Sequence, residues 1–268
     1  MVDGVELKDT PRALLQQGKI APQLKAVLFG SVAEDSGLAL VHNASSVEFA
    51  TAMNAEYLLG DYFNKTPSAL AAMMRLYGNK SVDGPSPLVF PPGFPPLGLQ
   101  LPPNSSANFN YTFTNWYWAA KHALADGEIL CPSRWAAKYF RRYNVSAYQW
   151  QFRHPALQLT CKTEVCNAQG APHSSDVRFW FSEREGGGSV QTMEELQLAH
   201  RMSGYLASTV TTGRPTASAE EWPQWDEAKQ SILLLDVASS GGVRVAHHWR
   251  EELCEWWSTV PDRYVPIT

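Results

Sequence analysis

The sequence lacks any apolar run long enough to cross a membrane. Proline, glycine or a charged residue interrupts each apolar stretch well before the roughly 20 residues that a transmembrane helix needs. It also lacks a cluster of basic residues, and its formal net charge is −4, which argues against nucleic acid as a partner. Hydrophobic residues make up 44% and charged residues 18% of the 268 residues. This composition excludes a disordered chain and is typical of a globular protein with a sizeable core.

An apolar signal segment is also absent after Met1, although another feature points to secretion. Six of the ten asparagines begin an Asn-x-Ser/Thr triplet, namely Asn43, Asn64, Asn79, Asn104, Asn110 and Asn144. Such triplets accept glycans only in secreted chains. The alternative is coincidence in a sequence rich in serine and threonine. The excess predicts a secreted glycoprotein, whose true N-terminus would then lie elsewhere.

Cysteine is scarce, and the four cysteines are Cys131, Cys161, Cys166 and Cys254. Their even number fits two disulfides in a secreted chain. The spacing of Cys161 and Cys166 excludes a CxxC redox motif, and no cysteine pair suggests zinc. His247 and His248 are adjacent, so on a strand they face opposite sides, and no third ligand is evident. We therefore predict no metal and no cofactor.

The predicted elements alternate between strands and helices. Apolar runs or alternating patterns predict strands at 24–30, 147–152, 232–237 and 243–246, the last two as a hairpin. Helical spacing of apolar residues covers 46–59, 67–77, 116–125, 132–143, 193–211 and 248–257. Residues 82–104 are rich in proline and glycine and are predicted to be an irregular insert. This alternation predicts an α/β sheet.

Two predicted loops carry groups suited to proton transfer. Glu34 and Asp35 follow the first strand, and His173 lies in a Gly/Pro/Ser turn after the strand at 147–152. Active-site loops lie at the carboxyl ends of the strands in such sheets. An acid and a histidine make up two thirds of a Ser-His-acid triad, and acid before histidine is the chain order of α/β-hydrolases. The alternative is a solvent-exposed loop histidine without a catalytic role.

Several segments, in this order, resemble the C-terminal half of a type-B carboxylesterase, the family of cholinesterases and bile-salt-activated lipases. The matching segments are Val2–Gly4, Leu14–Lys19, Ala26–Gly30, Glu34–Ser36, His173–Phe181, Thr212–Pro215 and Trp222–Asp226. The family's acid loop usually reads Gly, three variable residues and Asp-Glu-Gly, and its histidine loop begins His-Gly. Here Ser36 and Ser174 stand where the family has glycine.

The resemblance implies roles for individual residues. Asp35 occupies the column of the triad acid, with Glu34 as the second choice, and His173 is the triad base. Cys131 and Cys254 match a pair that is bridged in cholinesterases, and we also predict a disulfide between Cys161 and Cys166. The implied fold is the C-terminal portion of an α/β-hydrolase, a mostly parallel sheet flanked by helices. Residues 1–268 would form part of one domain.

The family's nucleophile lies in a Gly-x-Ser-x-Gly elbow, and no such pentapeptide occurs in these 268 residues. The resemblance therefore implies a fragment of a secreted ester hydrolase, inactive by itself, whose partners are the N-terminal half of the same enzyme and a small carboxylic ester or lipid. Two alternatives stay open. One is a cholinesterase-like adhesion domain without catalysis. The other is a secreted carbohydrate-binding protein that uses some of its ten tryptophans.

Overall fold

The computed structural model describes residues 4–5, 7–35, 46–55, 62–78, 98–99, 109–110, 115–154, 170–182, 192–216 and 221–260. The helices are α1 (Pro11–Gln16), α2 (Ser46–Ala55), α3 (Pro67–Gly78), α4 (Asn115–Ala125), α5 (Cys131–Arg142), α6 (Val177–Trp180), α7 (Met193–Thr212) and α8 (Glu251–Trp257). A π-helix (Asp126–Leu130) joins α4 directly to α5. The strands are β1 (Ala26–Val32), β2 (Gly98–Leu99), β3 (Phe109–Asn110), β4 (Ser146–Phe152), β5 (Ile232–Leu235) and β6 (Arg244–Ala246).

The described strands form a mixed four-stranded sheet in the order β1-β4-β5-β6. β1 runs parallel to β4 and β4 parallel to β5, whereas β6 returns antiparallel to β5. The predicted α/β architecture is thus confirmed, and the predicted hairpin is the β5–β6 pair. Within the predicted insert, only Gly98–Leu99 is described, and it pairs antiparallel with Phe109–Asn110.

β1 and β4 approach each other closely at Gly30. The two strands pair along seven residues, from Ala26 opposite Ser146 to Val32 opposite Phe152, and Gly30 lies opposite Trp150. A Cβ at position 30 would overlap the carbonyl oxygen and the indole ring of Trp150. Glycine is required here because the tryptophan of the neighbouring strand covers its Cα.

Helices cover both faces of the sheet. On one face α7 packs through Leu198, Ala199, Met202 and Tyr205 against a cluster that includes Phe152, Leu233 and Leu235. On the other face Leu130 of the π-helix contacts Ile232 and Leu234. β5 is therefore buried on both sides, as its uninterrupted Ile-Leu-Leu-Leu run requires.

β4 differs from its sequence pattern in one respect. Its alternation of aromatic and polar residues is typical of a strand with one solvated face, yet Gln149 and Gln151 are buried. Gln149 Nε2 donates to Ser133 Oγ at 2.7 Å, and Gln151 Oε1 accepts from Trp249 Nε1 at 2.9 Å. The two amides therefore bond to the helical layer instead of to water.

A second apolar cluster lies between α2, α3, α4 and α8 and includes Met53, Tyr77, Leu124 and Trp257. Cys131 and Cys254 form a disulfide there with their Cα atoms 5.0 Å apart, and this bridge joins α5 to α8. The disulfide predicted between Cys161 and Cys166 lies outside the described residues. α8 begins at Glu251, three residues later than predicted, because His248 and Arg250 have positive φ angles of 53° and 55°.

The first turn of α7 is anchored to the carboxyl ends of β4 and β5. Thr192 and Glu195 form a capping box, and the Glu195 carboxylate also lies 3.0 Å from Nε2 of His154. His154 Nδ1 lies 3.5 Å from Asp236 Oδ1. Burial lowers the pKa of His154, but the nearby carboxylates of Asp236 and Glu195 outweigh it, so that the pKa is raised.

Removal of the Cys131–Cys254 disulfide should lower the free energy of unfolding by about 3–5 kcal/mol. The bridged residues are 123 positions apart, so reduction releases a long loop in the unfolded chain. Urea unfolding of Cys131→Ser/Cys254→Ser against wild type measures the difference. The matched control is Cys161→Ser/Cys166→Ser, in which a reductant should still destabilise the protein. An unchanged urea midpoint on reduction of that control would contradict the prediction.

The His154 contacts should make stability fall as pH rises. Because the folded-state pKa is raised, protonated His154 contributes stability that is fully present below the unfolded pKa of about 6.5 and is lost as pH rises through the folded pKa. Urea midpoints across this window should fall in wild type and vary less in His154→Asn. His200→Asn, which alters an exposed histidine of α7, should retain the wild-type slope, and a wild-type slope in His154→Asn would contradict the assignment.

Candidate functional site

The first loop of the candidate site follows β1 directly. The backbone continues the ladder for one more residue, since Ala33 N donates to Phe152 O at 2.8 Å. Asp35 follows two residues later, and its Oδ2 accepts from Val32 N at 3.4 Å. The Asp35 side chain is 10% exposed. The turn of the chain thus directs the Asp35 carboxylate back over the carboxyl end of β1.

The second loop, residues 170–176, precedes α6. Ser175 N donates to Pro172 O at 3.0 Å, which closes a turn around His173. Ser174 has a φ of +66°, the left-handed conformation in which glycine costs least. This geometry explains why glycine suits the position after the histidine, and Ser174 adopts the same backbone conformation. The turn leaves the His173 side chain 74% exposed.

The structure brings the two loops together at the carboxyl ends of the parallel strands. Asp35 Oδ1 lies 2.6 Å from His173 Nδ1, although 138 residues separate them in the chain. A carboxylate in this position accepts from Nδ1–H and leaves the lone pair on Nε2. His173 can therefore take a proton at Nε2, and Asp35 can stabilise the imidazolium that results.

Glu34, the second choice for the acid, points elsewhere. It is 2% exposed, its Oε1 lies 2.9 Å from His122 Nε2, and its Oε2 accepts from Ala171 N at 2.6 Å. The sequence did not indicate the partner His122, which lies on α4. The only signal was an adjacent lysine and histidine, Lys121 and His122, in an otherwise apolar helix segment, and both are buried.

A third carboxylate, that of Asp176, lies near enough to Asp35 and His173 to interact with both electrostatically. Burial raises the pKa of Asp176, and the like charge of Asp35 adds to the effect. Trp180 Nε1 donates to Asp176 Oδ2 at 2.9 Å and acts in the opposite direction. Asp176 therefore keeps a proton to a higher pH than an ordinary aspartate does.

The other predicted sites differ in how far the structure describes them. Asn64 and Asn144 are exposed, Asn110 lies in β3, and Asn43, Asn79 and Asn104 fall outside the described residues. The eight tryptophans whose side chains are described are all buried or half-buried. Within the described part of the chain there is no cluster of three metal-ligating side chains, and no helix is long and apolar enough to span a membrane.

Comparison with known proteins gives one family. The model of the carboxylesterase family matches residues 1–257. Curated relatives include an acetylcholinesterase of Bungarus fasciatus, 24% identical over 138 residues, and secreted lipase 4 of Gibberella zeae, 28% identical over 140 residues. Carboxylesterase 4A of Bos taurus is 26% identical over 141 residues. The alignments cover 50–51% of this chain but only 22–24% of the length of these relatives.

The Asp35 contact should fix the tautomer of His173. An acceptor at Nδ1 holds the proton there, so neutral His173 should carry it on Nδ1 in long-range ¹H–¹⁵N spectra of histidine-labelled protein. Asp35→Ala should shift the proton towards Nε2. Asp226→Ala is the control, because Asp226 precedes β5 and thus lies at the amino ends of the parallel strands, away from the candidate site. An Nε2–H tautomer in wild type would contradict the contact.

Proposed function

Since the chain belongs to the carboxylesterase family, we propose that it supplies the acid and the base of a Ser-His-acid triad that hydrolyses carboxylic esters. The observation that carries the proposal is the 2.6 Å contact between Asp35 Oδ1 and His173 Nδ1. Its position at the carboxyl ends of parallel strands, and the order of acid before histidine, agree with α/β-hydrolase chemistry.

The proposed mechanism uses His173 twice. Its Nε2 first takes the proton of the serine hydroxyl as that oxygen attacks the ester carbonyl, and it then gives the proton to the departing alcohol. In the second half-reaction it activates water against the acyl-enzyme in the same way. Asp35 stays ionised throughout, holds the imidazole by Nδ1 and stabilises its positive charge. The exposed ring of His173 leaves Nε2 open to a substrate and a nucleophile.

The nucleophile belongs, in this proposal, to a segment outside these 268 residues. No Gly-x-Ser-x-Gly elbow occurs in the sequence, and a histidine with its acid has nothing to acylate without one. The segment that carries the elbow would also supply the oxyanion hole and part of the wall that recognises the substrate. The proposed substrates are small carboxylic esters or lipids, and the chain would act together with that segment as one α/β-hydrolase domain.

We propose further that the protein acts outside the cell. The six Asn-x-Ser/Thr triplets, exposed Asn64 and Asn144 and the disulfide between Cys131 and Cys254 favour an oxidising, glycosylating compartment. The name of the Gibberella zeae relative, secreted lipase 4, agrees with this. Glycosidase treatment of the protein purified from its source should lower its mass if the assignment holds.

Hydrolysis should require both the elbow and His173. Residues 1–268 alone should not hydrolyse p-nitrophenyl acetate, whereas a chain extended by an upstream coding segment with Gly-x-Ser-x-Gly should do so. His173→Ala in the extended protein should lower kcat at least about 10³-fold, because triad residues act as a unit. Asp35→Asn should lower it by up to about 10⁴-fold, because the imidazole loses its tautomer and its counter-charge.

The control for these variants is His200→Ala, an exposed histidine on α7 that should leave kcat unchanged. Hydrolysis by residues 1–268 that depends on His173 would place the nucleophile within this chain and overturn the assignment to another segment. Full activity of the extended His173→Ala protein would show that His173 is not the base. An inactive extended protein with an intact elbow would favour a cholinesterase-like domain without catalysis.

A further inference from the structure

Glu34 is buried beside the proposed triad acid but has no part in the mechanism described. Both of its carboxylate oxygens are engaged: Oε2 accepts from Ala171 N at 2.6 Å, and Oε1 lies 2.9 Å from His122 Nε2. The first contact crosses 137 residues of sequence and the second crosses 88. A single side chain thus joins the loop after β1, the loop that carries His173, and α4.

The backbone of Glu34 reinforces the same connection. Glu34 N donates to Ala171 O at 3.1 Å, and Glu34 and Pro172 form an isolated parallel bridge. Gly170 has a φ of +76°, and a Cβ at this position would overlap the Glu34 carboxylate. At Gly170, three residues before His173, the histidine loop therefore lies as close to Glu34 as a residue without a side chain allows.

His122 holds the other side of the carboxylate. Its side chain is fully buried on α4, and burial, followed by the positive charge of Arg250, lowers the pKa of His122. A neutral imidazole donates from Nε2–H to Glu34 Oε1. Lys121, Arg153 and Arg250 also interact electrostatically with Glu34. His122 and these positive charges thus hold the carboxylate in place while its second oxygen accepts from the histidine loop.

We propose that Glu34 and His122 are positioning residues, which fix the distance between Asp35 and His173. Glu34 precedes Asp35 directly in the chain, and it is hydrogen-bonded to Ala171, two residues before His173. The loop of Asp35 and the loop of His173 are therefore both held by Glu34. His122 anchors Glu34 from α4. The inference rests on the proposed triad roles of Asp35 and His173, but its geometric part can be measured without any hydrolysis.

The direct test compares Glu34→Ala with Glu34→Gln in residues 1–268. Alanine removes both contacts, so the Ala171 amide should lose its protection from hydrogen exchange and His173 should lose its Nδ1–H tautomer. Glutamine should restore both, because its carbonyl oxygen can accept from Ala171 N and its amide can donate to the other tautomer of His122. Wild-type exchange and tautomer in Glu34→Ala would overturn the proposal.

Two further variants reach the contact from its other sides. Gly170→Ala should displace the histidine loop by steric overlap with Glu34, and His122→Phe removes the donor on α4 at similar volume. In both variants His173 should lose its Nδ1–H tautomer. These two variants therefore test the proposal independently if Glu34→Ala fails to fold. The matched control is Tyr77→Phe, which removes the buried bonds of Tyr77 to Asp126 and Trp257. It should lower stability yet leave the His173 tautomer unchanged.

Kinetics of the extended protein separate this inference from the proposed function. Glu34→Ala should lower kcat at least about tenfold with little change in KM, because misplacement of a catalytic group slows chemistry more than binding, and Glu34→Gln should recover most of the loss. An inactive extended wild type together with the tautomer changes above would overturn the esterase proposal but retain the positioning role. An active enzyme whose kcat is equal in wild type and Glu34→Ala would overturn the positioning role alone.

Discussion

The parallel pairing of β1 with β4 is the interaction on which the rest of the molecule depends. It extends over seven residue pairs and is continued beyond the strands by Ala33 N to Phe152 O and then by Glu34 to Ala171. The ladder therefore guides the chain directly into the candidate site. Had the register slipped by one residue, Gly30 would no longer lie opposite Trp150, and the side chains of β1 would exchange faces.

Buried polar groups, in addition to the apolar clusters, connect this ladder to the surrounding helices. Gln149 and Gln151 bond the layer that covers one face of β4, and His154 joins β4 to α7 and to Asp236. Asp126 accepts from both Tyr77 and Arg250 at 2.8 and 2.7 Å. Such bonds are directional, so they fix the orientation of each helix more narrowly than apolar packing does.

Much of this arrangement could be predicted from local sequence. The four strands of the main sheet, most bounds of the six predicted helices and the two loops with Asp35 and His173 follow from apolar periodicity, turn residues and the rule that active-site loops follow parallel strands. The short strands β2 and β3, the helices α1 and α6 and the π-helix were not predicted. The partner of Glu34 could not be predicted, because His122 lies 88 residues away and no pattern along the chain records that contact. The burial of Gln149 and Gln151 could not be predicted for a related reason. Polar residues at alternate positions of a strand indicate a solvated face unless the helix that covers that face is known. The start of α8 was missed because positive φ angles at His248 and Arg250 leave no trace in helical apolar spacing.

The π-helix between α4 and α5 has a consequence for how this segment tolerates changes in length. Residues 115–142 form one uninterrupted helical rod whose centre, Asp126–Leu130, is wound more widely than the ends, the form that a one-residue insertion into an α-helix takes. Because the wider turn takes up the extra residue, loss of one residue at this point would restore regular winding and leave α4 and α5 facing nearly the same way. Loss of one residue between His122 and Asp126 would instead rotate the two ends of the rod relative to each other by about 100°, so that Cys131 and His122 could no longer face Cys254 and Glu34 together. The segment is therefore expected to tolerate the loss of one residue within the π-helix better than the loss of one residue in α4.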